Sequence, residues 1–346
     1  MELPQADLEM VHALQVFPRV SWAQLAPILG QHPTTLAARW ERLHGRGLVW
    51  VTGHQGAIST QGAATFISIQ CHPEARESVI ARMCLIPEVG NVEESARSWD
   101  ARLTVFTEDW AHLTHRVLPV VRADPGIAKI HVSVMTGLYA TGSHWRLDVL
   151  SPEQHARLRE LNPLHGRQGS EIVPQQEQLR RLLAIDGRMP AAQIAAELGI
   201  HPTTAARRLR QLLDSKAIML RCELAQDYSG YPVYCQWYAR VPPTQLEEAV
   251  QRLRSFRTLR LCATITGDAN LTFALWLRNP VEIAEVEWAL QKVAPALQVI
   301  ESDVGVRTHK RMGWILREDS TATGQVITHE PTDPGGSAED RKAPSA

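Results

Sequence analysis

The chain reads as an α+β protein: two winged helix-turn-helix domains and two ferredoxin-like (β-α-β-β-α-β) domains in tandem duplication. Three observations predict it. The tetrapeptide His-Pro-Thr-Thr occurs at His32 to Thr35 and again at His201 to Thr204, inside a window (Ala23 to Leu43 against Ala192 to Leu212) where 12 of 21 positions are identical at a spacing of 169. A repeat that distant marks a duplicated domain rather than a solenoid. Each window carries apolar residues at helical spacing in three short runs. After each window, residues 63–139 and 233–309 align at a spacing of 170 with a shared strand, helix, strand, strand, helix, strand layout.

In the first copy Leu8, Val11 and Leu14 mark one helix, Leu25, Ile28 and Leu29 a second, and Leu36, Trp40 and Leu43 a third. The second copy repeats this with Leu179, Leu182 and Leu183, then Ile194 and Leu198, then Ala205, Leu209 and Leu212. Gly30 and Gly199 stand where the second helix needs a left-handed stop, a conformation glycine adopts without a Cβ penalty. Pro33 and Pro202 fit the first turn of the third helix, where a missing N–H costs nothing. His32 and His201 suit a capping role, since no second metal ligand stands at a useful spacing. Leu48 to Val51 and Ile218 to Leu220 read as short wing strands. In the second ferredoxin-like unit Val233 to Arg240 is a strand, Thr244 with Glu247 forms a capping box, and Leu259 to Ile265 and Leu271 to Leu277 flank a hairpin turn at Thr266 to Asn270. Asn279-Pro280 opens the next helix, and Leu297 to Val306 closes the sheet. The predicted boundaries are 1–60 and 175–226 for the helix-turn-helix domains and 61–145 and 227–317 for the sheet domains. Residues 146–174 form a linker with a helix from Ser151 to Leu161, and 318–346 a disordered tail.

The length of 346 residues and 44% apolar content allow several well-buried cores. Five cysteines without a C-x-x-C pair read as buried free thiols of a reducing compartment. With no leader segment and no apolar run near membrane length, the expected location is cytoplasmic, at the nucleoid, without membrane contact. Net charge is −1 overall, yet from Glu177 to Glu223 eight Lys/Arg meet five Asp/Glu, whereas Gln5 to Thr52 carries four against three. The second helix-turn-helix is the more basic, and nucleic-acid affinity follows local charge.

Arrangement and residues together resemble the Lrp/AsnC family of transcriptional regulators, an amino-terminal helix-turn-helix followed by a ferredoxin-like effector and oligomerisation (RAM) domain, with the unit present twice. The resemblance implies a sequence-specific DNA-binding regulator that is not an enzyme and needs no cofactor or metal. Its partners would be double-stranded DNA and an amino acid or related small effector. The two halves would pair as an intrachain pseudo-dimer, with further homo-oligomerisation. Candidate DNA contacts are Thr34, Thr35, Arg42, Thr203, Thr204, Arg207 and Arg210, with Arg39 and Arg208 fitting equally a phosphate-positioning or a structural role. The family's Gly-x-Tyr-Asp effector turn is incomplete in both copies: Ser98, Trp99 and Asp100 stand there in the first, Gly267, Asp268 and Asn270 in the second. Two other readings share the architecture. One is a siroheme-decarboxylase-like tetrapyrrole enzyme, for which His112, His115 and His131 would be of interest; the other is an oligomerisation scaffold with vestigial DNA-binding domains.

Overall fold

The computed structural model describes residues 2–55, 63–142, 145–162, 176–215 and 218–328. The first helix-turn-helix comprises α1 (Gln5–Val16), α2 (Trp22–Leu29) and α3 (Pro33–Gly45). Ser21 and Gln24 start α2 with a reciprocal capping box, and Gly30 ends it at φ 64°. Leu8, Val11, Leu14, Leu25, Ile28, Leu36, Trp40 and Leu43 share one core, as their spacing requires. The strand that follows is β1 (Val49–Gln55).

The first ferredoxin-like unit runs β2 (Ala63–Cys71), α4 (Arg76–Leu85), β3 (Val89–Ser95), β4 (Ala101–Thr107), a second helix broken into α5 (Trp110–His112), a π turn (Leu113–Val117) and α6 (Leu118–Arg122), then β5 (Ile127–Ala140). After α7 (Pro152–Leu161) the pattern repeats. The second helix-turn-helix is α8 (Glu177–Ile185), α9 (Ala191–Leu198) and α10 (Pro202–Ser215), with Gly199 at φ 61°, and β6 (Ile218–Leu224) follows it. The second sheet unit is β7 (Val233–Arg240), α11 (Leu246–Leu253), β8 (Leu259–Ile265), β9 (Leu271–Leu277), α12 (Glu282–Val293) and β10 (Gln298–Arg311).

The wing strands do not fold back within their own copies. β1 and β6 pair with each other, antiparallel, with Thr52 opposite Arg221. These two residues are 169 apart, so an approximate twofold axis passes between them. A single short strand after α3 leaves an open edge, and the other copy supplies its partner. Arginines at matching positions lock the pair. Arg19 donates to the carbonyls of Gly187 and Met189 (2.6 and 2.9 Å), and Arg188 donates to those of Pro18 and Val20 (2.5 and 3.0 Å). Arg188 also lies over the Trp22 and Trp40 rings.

The sheet domains obey the same symmetry. Each packs its helices on one face, giving the cores around Ile67, Leu103 and Val121 and around Trp237, Phe273 and Leu290. Their strands join edge to edge: β5 pairs with β8, β10 with β3, and β10 with β7, closing the ring β10-β3-β4-β2-β5-β8-β9-β7. The two junctions are related by 170 residues, Met135 against Ile265 and Gly305 against Ser95. The closed ring leaves no lateral edge among these eight strands.

Three expectations change. Thr244 lies in a 3-10 turn (Pro243–Gln245), and α11 begins without a side-chain cap, so the Thr244 and Glu247 capping box does not form. Asn279 instead accepts from the N–H of Val281 just ahead of α12 (3.0 Å). The tail expected to be disordered from residue 318 is ordered at its start. After β11 (Trp314–Leu316), β12 (Ala322–Val326) pairs back on it, and the N–H of Ala322 donates to the carbonyl of Gly47 (2.8 Å). Trp314 packs on Trp50, and that apolar contact holds a segment whose own composition is polar. The rest of the tail and most of the Asn162 to Pro174 linker lie outside the described residues.

Candidate functional site

The two recognition helices begin alike. His32 Nδ1 caps α3, lying 2.8 Å from Thr34 Oγ1 and 3.4 Å from the Thr34 N–H, and His201 repeats the arrangement with Thr203 at 2.9 and 3.4 Å. The threonine hydroxyls are thus shared with the helix cap, while Thr35 is exposed and Thr204 half-buried.

Their charges differ. Asp7, fully buried in α1, forms ion pairs with Arg39 and with Arg42 (2.9 Å). The structure therefore gives both first-copy arginines a partner inside their own domain. In the second copy the position of Asp7 is held by Gln176 and that of Arg42 by Gln211. Arg207, Arg208 and Arg210 are exposed on α10 and make no ion pair among the described residues. Exposed guanidiniums in the middle of a recognition helix are chemically suited to phosphate oxygens and guanine edges.

The effector-turn residues are engaged in matching backbone ties. Asp100 accepts from the N–H of Cys71 (2.7 Å) and pairs with Arg76 (3.3 Å). Asn270, its counterpart, accepts from the N–H of Val241 and donates to its carbonyl (2.9 and 2.8 Å). Both hold the end of a neighbouring strand. Ser98 is exposed; Trp99 lies 6.0 Å from His131 between ring centres, under the Lys129 ammonium. The backbone carbonyls of Gly267 and Asp268 accept from Arg240 (3.3 and 2.7 Å). Of the histidines singled out, His112 lies 2.8 Å from Glu88, and His131 lies 3.2 Å from Ser133 Oγ.

An open cavity of about 530 Å3 lies elsewhere, where the first helix-turn-helix, the segment after β5 and the second sheet domain meet; Glu2, Leu8, Arg146, Tyr231, Arg257 and Arg278 line it. Arg257 pairs with Asp148 across it. Burial, then the nearby Arg221, lowers the Arg146 pKa to about 10. No spacing rule in the sequence brings residues 2, 146, 231 and 278 together, and the cavity was not foreseen for that reason. Among the described residues no helix is long and apolar enough to cross a membrane.

Residues 178–213 match the AsnC-type helix-turn-helix domain family. No curated protein matches the chain significantly in sequence. Among solved structures, the siroheme decarboxylase NirDL is similar over 88% of this chain and 93% of its own, at 12% identity and a TM-score of 0.58. The same enzyme in complex with an iron-uroporphyrin III analogue gives 13% identity, the same coverage and a TM-score of 0.58. E. coli AsnC aligns with 39% of this chain and 93% of its own, at 19% identity and a TM-score of 0.34. The chain-long likeness is one of fold, and it is to an enzyme, which overturns the expectation that this architecture marks a non-enzyme. Residues 178–213 thus carry an AsnC-type helix-turn-helix domain, in keeping with the family resemblance of the sequence, within a chain whose two halves repeat one order of elements.

Proposed function

We propose that the protein is a transcriptional regulator, acting on double-stranded DNA at the nucleoid, in which the second helix-turn-helix carries most of the affinity. The observation that supports this is the contrast between α10, with Arg207, Arg208 and Arg210 exposed and without an ion pair among the described residues, and α3, whose Arg39 and Arg42 are held by Asp7. Counterion release makes each phosphate contact worth about 0.9 in the slope of log K against log salt. Replacing Arg207 and Arg210 with Ala is expected to reduce that slope by up to about 2 and weaken binding to all duplexes, whereas Glu41→Ala on α3 leaves the slope unchanged. Fluorescence anisotropy over a salt series measures it; equal slopes for parent and double variant would remove α10 from the interface.

A second reading is favoured by the chain-long likeness to NirDL and by the arginines of the cavity, which suit a ligand with several carboxylates: binding of a tetrapyrrole. Titrating siroheme into the protein and following the Soret band tests it. A spectrum unchanged from free siroheme counts against it.

A further inference from the structure

Between the paired helix-turn-helix domains and the barrel lies a group of arginines whose charge is not balanced among the described residues. Arg221 on β6, Arg260 on β8 and Arg311 at the end of β10 are all largely buried. Their carboxylate is Glu223, itself 1% exposed, which pairs with Arg221 and stands 3.6 Å from Arg260. Arg311 donates to Gln226 Oε1 (3.1 Å) and Thr308 Oγ1 (3.4 Å), both neutral, and its second terminal nitrogen is buried without a hydrogen-bond partner among the described residues. Three guanidiniums against one carboxylate leave two positive charges. Arg146 adds a fourth cation at the side facing the 530 Å3 cavity.

Such an excess is expensive. An uncompensated buried ion costs several kcal/mol, and arginine does not escape by losing its proton. Part of the cost is offset by stacking, since Arg260 lies over Trp276 and Trp145 (3.9 and 5.0 Å to the ring centres) and Arg311 over Trp276 (5.1 Å). The fold does not demand this charge. At the symmetry-related positions of the first half stand Thr52, His54, Gly90 and Thr141 in place of Arg221, Glu223, Arg260 and Arg311, and that half builds the same elements. Burial lowers the pKa of His54 to about 4, so it adds no cation at neutral pH. Elsewhere in the barrel the protein balances its buried arginine: Arg102 meets both Glu93 (2.9 Å) and Asp303 (3.0 Å).

We propose that Arg221, Arg260 and Arg311, with Arg146 at the approach from the cavity, form an internal site for a small dianionic oxyanion, a phosphate or a dicarboxylate. The cavity is the side of approach: Arg146 and Tyr231 are in its wall, and the packed rings of Tyr231, Trp145 and Trp276 stand between it and Arg260, so entry of the anion requires these rings to shift. The site joins β6 of the second helix-turn-helix to β8 and β10 of its sheet domain, so the anion ties the DNA-reading half of the molecule to the barrel.

Binding itself does not depend on the DNA-binding reading, and the test is made on the full chain without DNA. Thermal unfolding is followed in sodium phosphate, sodium sulfate and sodium malonate at constant ionic strength, alongside titration calorimetry of the same probes. At roughly a hundredfold excess over Kd the midpoint is expected to rise by about 4 °C and to go on rising with the logarithm of anion concentration, while the calorimetric titration saturates. Saturation with phosphate and sulfate alone identifies a tetrahedral oxyanion, and saturation with malonate alone a dicarboxylate. Arg311→Met is expected to abolish the response and, without anion, to unfold at or above the parent midpoint, because it removes an unbalanced charge; the exposed Arg252→Gln keeps the parent response. Calorimetry of the parent stands even if Arg311→Met fails to fold. No saturable binding of any probe to the parent, or an undiminished response in a folded Arg311→Met variant, overturns the proposal.

Discussion

Asp7 shows how one residue sets the charge of two otherwise matched modules apart. Its carboxylate, with no exposure, gathers Arg39 and Arg42 onto the floor of α1; the second copy has Gln176 there, and Arg208 stays in solvent. Breaking a buried pair leaves charge without a partner, and Arg39 is only 19% exposed at its side chain. Asp7→Ala is therefore expected to destabilise the protein by about 3 kcal/mol. Urea unfolding of parent and variant measures this, and a difference below about 1 kcal/mol would mean that the arginines find water instead. Helical periodicity turns Arg42 outward and leaves Arg39 fitting a phosphate-positioning or a structural role, because it gives the direction of a side chain but not its partner. The capping histidines were legible, because the cap partner lies two residues away.

At the scale of elements, α1 holds the strap that leaves the first sheet domain. His12 Nδ1 accepts from the N–H groups of Val149 and Leu150 (both 3.1 Å), and Gln15 accepts from Leu147 (3.0 Å). Burial, reinforced by Arg146 and His155, lowers the His12 pKa to about 3. A depressed histidine folds neutral, so its contribution is complete above the unfolded value near 6.5 and is lost as pH falls from there toward 3. At pH 5 the loss comes to about 2 kcal/mol. Unfolding midpoints at pH 7 and pH 5 should show a larger drop for the parent than for His12→Gln, and equal drops would place the acid sensitivity elsewhere. The elements themselves were well foreshadowed. Leu259 to Ile265 and Leu271 to Leu277 are strands at the expected limits, since alternation and a Gly-Asp turn act within a few residues. The Thr244 cap failed because a 3-10 turn after Pro242-Pro243 took those residues first.

At the scale of the molecule, the barrel is a property of two halves. Residues 1–146 alone would expose the β3 edge that β10 covers and the β5 edge that β8 covers. Such a fragment is expected to self-associate or precipitate, pairing its free edges with other copies. Sedimentation showing a stable monomer would mean that the half closes its own edges. The sequence by itself determined the duplication, the order of elements, the glycine stops and the greater basicity of the second module, because each rests on residue type at short range. Only the tertiary structure decided that β1 pairs with β6, that Arg19 and Arg188 clasp opposite modules, and that Arg260 reaches Glu223. Those contacts join residues tens to more than a hundred positions apart, where no periodicity survives, and the burial that gives them their energy exists only once both halves are packed.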